Sequence, residues 1–147
     1  MEKRKFQEQI PKTAFMINDK FSRYVFGAAC IYDGLLGILY FTMPRQIYDW
    51  LGAIFPNHIA YVQFPALLLI VFAIMFFNIA RDPQGNRNLF IYAILMKLSF
   101  SIVVTIHWIN ATITDMWKPM ALVDFLFAVL FYFAYRRLTV TKIQPTL

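Results

Sequence analysis

Four apolar stretches constrain this chain more than any other feature. They cover residues 21–41, 59–80, 89–109 and 119–135. A helix needs about 20 apolar residues to cross a hydrocarbon core about 30 Å thick. Backbone polar groups have no water to bond in lipid, so each stretch is predicted to be a helix. The expected fold is therefore all-α. It is a polytopic membrane protein whose four transmembrane helices run up-down-up-down as a single membrane domain spanning 1–147, with tails over 1–20 and 136–147. The fourth stretch is the shortest and tolerates the least tilt. Composition agrees: 60% of residues are hydrophobic and 15% charged, against about a quarter charged in ordinary soluble domains. The first twenty residues are polar, and the apolar run after them is too long for the core of a cleaved signal peptide.

Basic residues set the expected orientation. Eleven of the 14 lysines and arginines fall on one side: Lys3, Arg4, Lys5, Lys12, Lys20, Arg23, Arg81, Arg87, Arg136, Arg137 and Lys142. Arg45 and Lys118 fall on the other, and Lys97 lies within a span. The positive-inside rule places both termini in the cytoplasm, and a bacterial inner membrane is the expected location. Trp50, Trp108 and Trp117 group near the opposite interface, as an aromatic belt does. The net charge of +6 thus reflects topology, and no basic face of a soluble fold is left for nucleic acid.

The connections carry further expectations. Arg81 to Asn86 reads as a tight turn, with Asp82 capping a helix, Pro83 following it and Gly85 free to take positive φ. Such a short loop predicts that the second and third spans are antiparallel neighbours. In the longer first outer loop, Pro44 to Leu51 reads as a short interfacial helix with Ile47, Trp50 and Leu51 on one face, ended by Gly52. Ile10, Ala14, Ile17 and Phe21 share a helical spacing that would lay the N-terminal tail along the inner leaflet. In the first span, Gly27, Cys30, Gly34 and Gly37 form a small-residue stripe suited to close helix packing. The lone Cys30 has no partner for an internal disulfide or a CxxC pair.

Three ionisable residues at membrane depth are the candidate site. Asp33 lies about 18 Å from the inner edge, Lys97 about 12 Å from it, and Asp124 about 7.5 Å below the outer edge, at 1.5 Å per residue. Each costs at least roughly 2.5–3.5 kcal/mol if it faces lipid, so the three are expected to meet inside the bundle. Lys97, Ser101 and Thr105 repeat every four residues, which makes the last two a candidate polar lining. One reading of this intramembrane charge cluster is structural neutralisation. The other is a proton or cation path, since carboxylates at shared depth perturb one another.

His58 opens the second span and His107 closes the third, on adjacent helices near the outer surface, a pairing that could hold a b-type haem. No histidine–carboxylate cluster has the spacing of a zinc site. Asn110-Ala111-Thr112 matches a glycosylation sequon but lies against the membrane, which makes it a chance match. Neither a GxSxG serine, an HExxH pair nor a P-loop is present, so nothing points to a catalytic residue.

The run Met43-Pro44-Arg45, Tyr48, Trp50-Leu51-Gly52, followed by Arg81-Asp82-Pro83, Lys97 and Asp124, resembles a pattern in small uncharacterised bacterial four-helix membrane proteins, DoxX-like in size. That resemblance implies no activity. An acidic residue in the first of four helices is also similar to small multidrug resistance transporters, although that family is shorter and uses glutamate where Asp33 stands here. The sequence is therefore read as a non-catalytic accessory or assembly subunit of a larger membrane complex, partnered by lipid and by other chains or further copies of itself. The alternatives are a small proton- or cation-coupled transporter using Asp33, Lys97 and Asp124, and a haem protein using His58 and His107.

Overall fold

The computed structural model describes the backbone of residues 12–142 and the side chains of residues 20–138. It contains five α-helices: α1 (Lys12–Thr42), α2 (Pro44–Trp50), α3 (Ala60–Arg81), α4 (Phe90–Ile109) and α5 (Trp117–Lys142), with a 3₁₀ turn at Arg87–Leu89 leading into α4. Among the described residues there is no strand. Among the described residues, four stretches are long and apolar enough to cross a membrane: Lys20–Thr42, Ala60–Arg81, Arg87–Ile109 and Trp117–Leu138. These match the expected spans closely at the first three. The fourth includes Tyr135 and lies within α5, which continues to Lys142; Leu138, past Tyr135, is fully buried in the bundle. The expected amphipathic tail starts at Ile10, outside the described residues, as are the side chains of Ala14 and Ile17.

Local chemistry explains the helix ends. Pro44 starts α2, where its missing N–H costs nothing, and Gly52 ends it at φ +62°. This short helix turns Pro44 and Tyr48 inward and leaves Trp50 and Leu51 exposed. Burial pushes the Tyr48 phenol above its ordinary pKa. After α3, Asp82 Oδ1 accepts the Gly85 amide at 3.0 Å, and the Asn86 side chain donates to the Asn78 and Asp82 carbonyls. The glycine at 85 answers a need for space rather than for positive φ, which it does not adopt: a Cβ there would collide with the Asp82 carboxylate.

Helix packing departs from the expected order in one respect. The tight turn does bring α3 and α4 together at that end, but the two helices hardly touch elsewhere. Instead α3 lies along α1, α4 lies along α5, and α1 joins the two pairs by packing on α5. The turn fixes only the helix ends, whereas small residues decide the partner. A Cβ on Gly37 would come within 2.7 Å of Ile70 Cγ1 and 2.8 Å of the Ala66 carbonyl, and one on Gly34 would meet Ala73. Half of the small-residue stripe thus seats α3, while Gly27 faces open space.

At the end of the bundle nearest the α3–α4 turn, each long helix contributes one fully buried phenylalanine: Phe26, Phe76, Phe90 and Phe131. Phe26 stacks on Phe131 at 4.1 Å and meets Phe90 edge-on at 4.6 Å. Phe131 therefore faces the core and is unavailable to a neighbouring chain. Outside, large apolar side chains such as Tyr24, Ile31, Val71 and Phe125 are more than half exposed, so the helices are apolar on their outer faces as well. Gly37→Val should overpack the α1–α3 contact and destabilise the protein by about 1–3 kcal/mol, while Gly27→Val should be nearly silent. Thermal unfolding in detergent checks the pair, and equal melting losses would refute the assigned contact.

Candidate functional site

The three charged residues that sequence depth alone brought together do meet. Lys97 Nζ on α4 donates to Asp33 Oδ1 on α1 at 2.6 Å and to Asp124 Oδ1 on α5 at 2.8 Å. The Lys97 and Asp33 side chains are 0% and 1% exposed, and that of Asp124 is 8% exposed. Short charge-assisted bonds of this kind are the strong ones. Three rings close around the ammonium: Tyr32 at 5.3 Å, Phe127 at 5.6 Å and Phe76 at 5.8 Å. Their faces add cation–π attraction in a desolvated site.

The side chains arrive there for local reasons. Asp33 sits one turn below the Gly37 contact on α1, so the close approach of α3 buries it. Asp124 lies on the same face of α5 as Ala121, Ala128 and Phe131, all buried. Lys97 follows Ala93 and precedes Ser101 on the buried face of α4. The Ser101 hydroxyl lies 2.9 Å from the Lys97 carbonyl and 3.0 Å from the Ala121 carbonyl, tying α4 to α5 one turn beyond the lysine. Thr105, the next residue on that line, is exposed and lines a shallow hollow on the outside of α4 and α5 with Ser101.

Charge does not balance within the triad. Two carboxylates face one ammonium, a formal charge of −1 when all are ionised, and Asp33 Oδ2 is buried with no hydrogen-bond partner. Beside the triad is a cavity of about 520 Å³ between the splayed parts of α3 and α4. Asp33 and Asp124 line it, with Phe72, Met96 and Phe100 along its sides and Tyr48 and Trp117 at its far end. Tyr40, Tyr48 and Trp117 pack together there. The cavity is mostly apolar, and its charged groups belong to the triad.

The histidines stand apart from this centre. His58 is exposed and its Nδ1 accepts the Ala60 amide at 3.1 Å, at the start of α3. His107 is exposed and its Nδ1 lies 2.8 Å from Thr112 Oγ1, in the turn that closes α4. Each is engaged in local backbone geometry, and the sequon threonine is part of that turn. Cys30 is half-buried in α1. No group of three or more His, Cys, Asp or Glu gathers among the described residues.

No known protein family, curated protein or solved structure matches this chain.

Sequence reasoning missed the aromatic cage and the cavity. A signal for the cage exists: Tyr32 adjoins Asp33, and Phe127 lies three residues from Asp124, on the same helical face. The cavity has no comparable signal, because it depends on α3 choosing α1 over α4. Removing the cation tests the triad. Lys97→Met should strand two buried carboxylates and cost about 3–5 kcal/mol. Adding Asp33→Asn or Asp124→Asn should recover part of that loss in a thermal-unfolding series. Double variants no more stable than Lys97→Met alone would show that the pairing does not hold the bundle.

Proposed function

We propose that the chain is an integral protein of a bacterial inner membrane, crossing it four times up-down-up-down with both termini cytoplasmic, and that it works as a small proton- or cation-coupled transporter. One observation carries the functional reading: the buried Asp33–Lys97–Asp124 triad sets two carboxylates against one ammonium on the wall of a cavity, a formal charge of −1 when all are ionised. A purely structural pair needs one carboxylate for one ammonium. The second carboxylate gives the site a charge that a proton or a cation can neutralise in turn, and exchange of the two is the elementary step of coupling.

The accessory-subunit reading draws on the apolar outer surface, which lipid covers equally well. The haem reading draws on His58 and His107, which are exposed and whose Nδ1 atoms serve the ends of two different helices. Neither has a feature as specific as the unbalanced triad.

Orientation rests on the asymmetry of eleven basic residues against two. In a Cys30→Ala background, Asp115→Cys should react with an impermeant thiol reagent in intact cells. Gln84→Cys, in the α3–α4 turn, should react only after permeabilisation. Labelling of position 84 in intact cells would invert the topology.

Transport is tested in proteoliposomes containing a pH-sensitive dye. Gradients of sodium, potassium and small organic cations are imposed one at a time. At least one should drive proton movement in the wild type, and Asp33→Asn should abolish it. If no cation moved protons, and other chains co-purified in fixed stoichiometry in mild detergent, the accessory role would replace this one.

A further inference from the structure

The cavity beside the triad has the shape and polarity of a site for an amphiphile rather than for a bare ion. Its walls are mostly apolar, with seven aromatic side chains among them, and are drawn from all five helices. It lies where α3 and α4 part, so it faces the surroundings sideways between two helices whose outer faces are apolar. On the α4 side of this opening, Ser99 and Val103 line the cavity and are themselves exposed. At a volume of about 520 Å³, it falls in the range of sites that enclose small organic ligands, roughly 300–1,000 Å³.

The polar end of the site is specific about charge and about hydrogen bonding. Lys97 is already committed to both carboxylates. What remains is a second carboxylate, one negative charge in excess when all three groups are ionised, an Asp33 oxygen with no donor, and an Asp124 side chain with some exposure left. A head group that suits this end carries one positive charge and at least one N–H. A neutral alcohol brings the donor without the charge, and a quaternary ammonium brings the charge without the donor. Farther up the cavity, Pro65 on α3 has no N–H to give the Tyr61 carbonyl, and both residues line the wall.

We infer that the α3–α4 cavity binds a membrane-soluble primary amine, entering sideways between the helices, with its ammonium against the Asp33–Asp124 carboxylates and its apolar body along the aromatic wall. This deepens the transport reading and rests on its assignment of the triad as an exchangeable negative site. The ammonium and a proton compete for the same excess charge, so amine binding at low pH displaces a proton. No covalent step is involved.

Trp117 reports on occupancy because it lines the cavity. Trp50 and Trp108, both exposed, are replaced by phenylalanine to leave it as the sole tryptophan of the full-length protein in nanodiscs. The probes are terminally brominated dodecylamine, dodecanol, dodecane and dodecyltrimethylammonium, whose bromine quenches indole fluorescence. The amine should quench saturably, at a concentration at least about tenfold below the alcohol and the trimethylammonium compound, the ratio that one charge-assisted hydrogen bond supports. Asp124→Asn should erase that preference. Ser99→Phe, an exposed change that narrows the opening without touching the triad, should weaken amine quenching on a bundle that melts as the wild type does. Superimposable curves for amine and bromododecane, or unchanged quenching in Ser99→Phe, would overturn the inference. Proton movement driven by an inorganic cation without saturable amine quenching would reject the amine site alone. Saturable amine quenching without any cation-driven proton movement would keep the site and reject transport.

Discussion

Lys97 can be buried only because two carboxylates and three aromatic rings meet it, and much of the bundle is organised around that requirement. An ammonium in a low-dielectric interior without partners costs several kcal/mol. Its partners must come from other helices, since none lies one turn away on α4 itself. Asp33 therefore fixes the rotation of α1, and Asp124 that of α5, to within the reach of one side chain. The same rotation turns Phe26 and Phe131 inward, where they stack, and turns Ile31 and Phe125 outward. Hydrophobic burial alone would specify little here, because lipid solvates an outward phenylalanine as well as the core does.

The two ends of the bundle answer to different physics. Near the α3–α4 turn, one phenylalanine from each long helix closes the interior, and Arg87 lies over the Tyr135 ring at 4.7 Å at that end. Towards the other end, α3 stays with α1 because Gly37 admits its backbone, and α4 stays with α5 through Ser101 and Lys97. No comparable contact links α3 to α4 there, and a cavity results. Its bottom is the triad, so the least packed part of the molecule abuts its most polar part.

The sequence made some of this legible and concealed the rest for identifiable reasons. Span positions followed from hydropathy, and the meeting of Asp33, Lys97 and Asp124 followed from depth and from the cost of a lone charge. The short helix α2 followed from Pro44 and Gly52. The neighbours of α3 did not follow, because the short Arg81–Asn86 turn ties only the ends of α3 and α4 and leaves packing along the rest of the helices open. Lateral choice is made by a few small residues, and Gly34 and Gly37 carried that information without indicating which helix would use it. The turn at Gly85 is legible but its reason is not: the residue does not take positive φ, and the Asp82 carboxylate occupies the space of its Cβ. Thr105 kept the spacing of Lys97 and Ser101 yet faces outward, since the buried face of α4 next takes Val104.

The arrangement also separates the two bonds of the lysine by what they join. Lys97 and Asp124 lie on α4 and α5, which are already held together by the Ser101 hydroxyl. Lys97 and Asp33 join that pair to the other, formed by α1 and α3. A proton or an ammonium that neutralises Asp33 weakens the bond between the pairs and leaves the bond within a pair in place. A ligand can shift a protein between arrangements only by interacting differently with each. In this bundle the charge on one carboxylate bears on the tie between the two pairs, at the point where the cavity between α3 and α4 reaches it. The charge of the triad and the tie between the helix pairs therefore depend on the same few atoms.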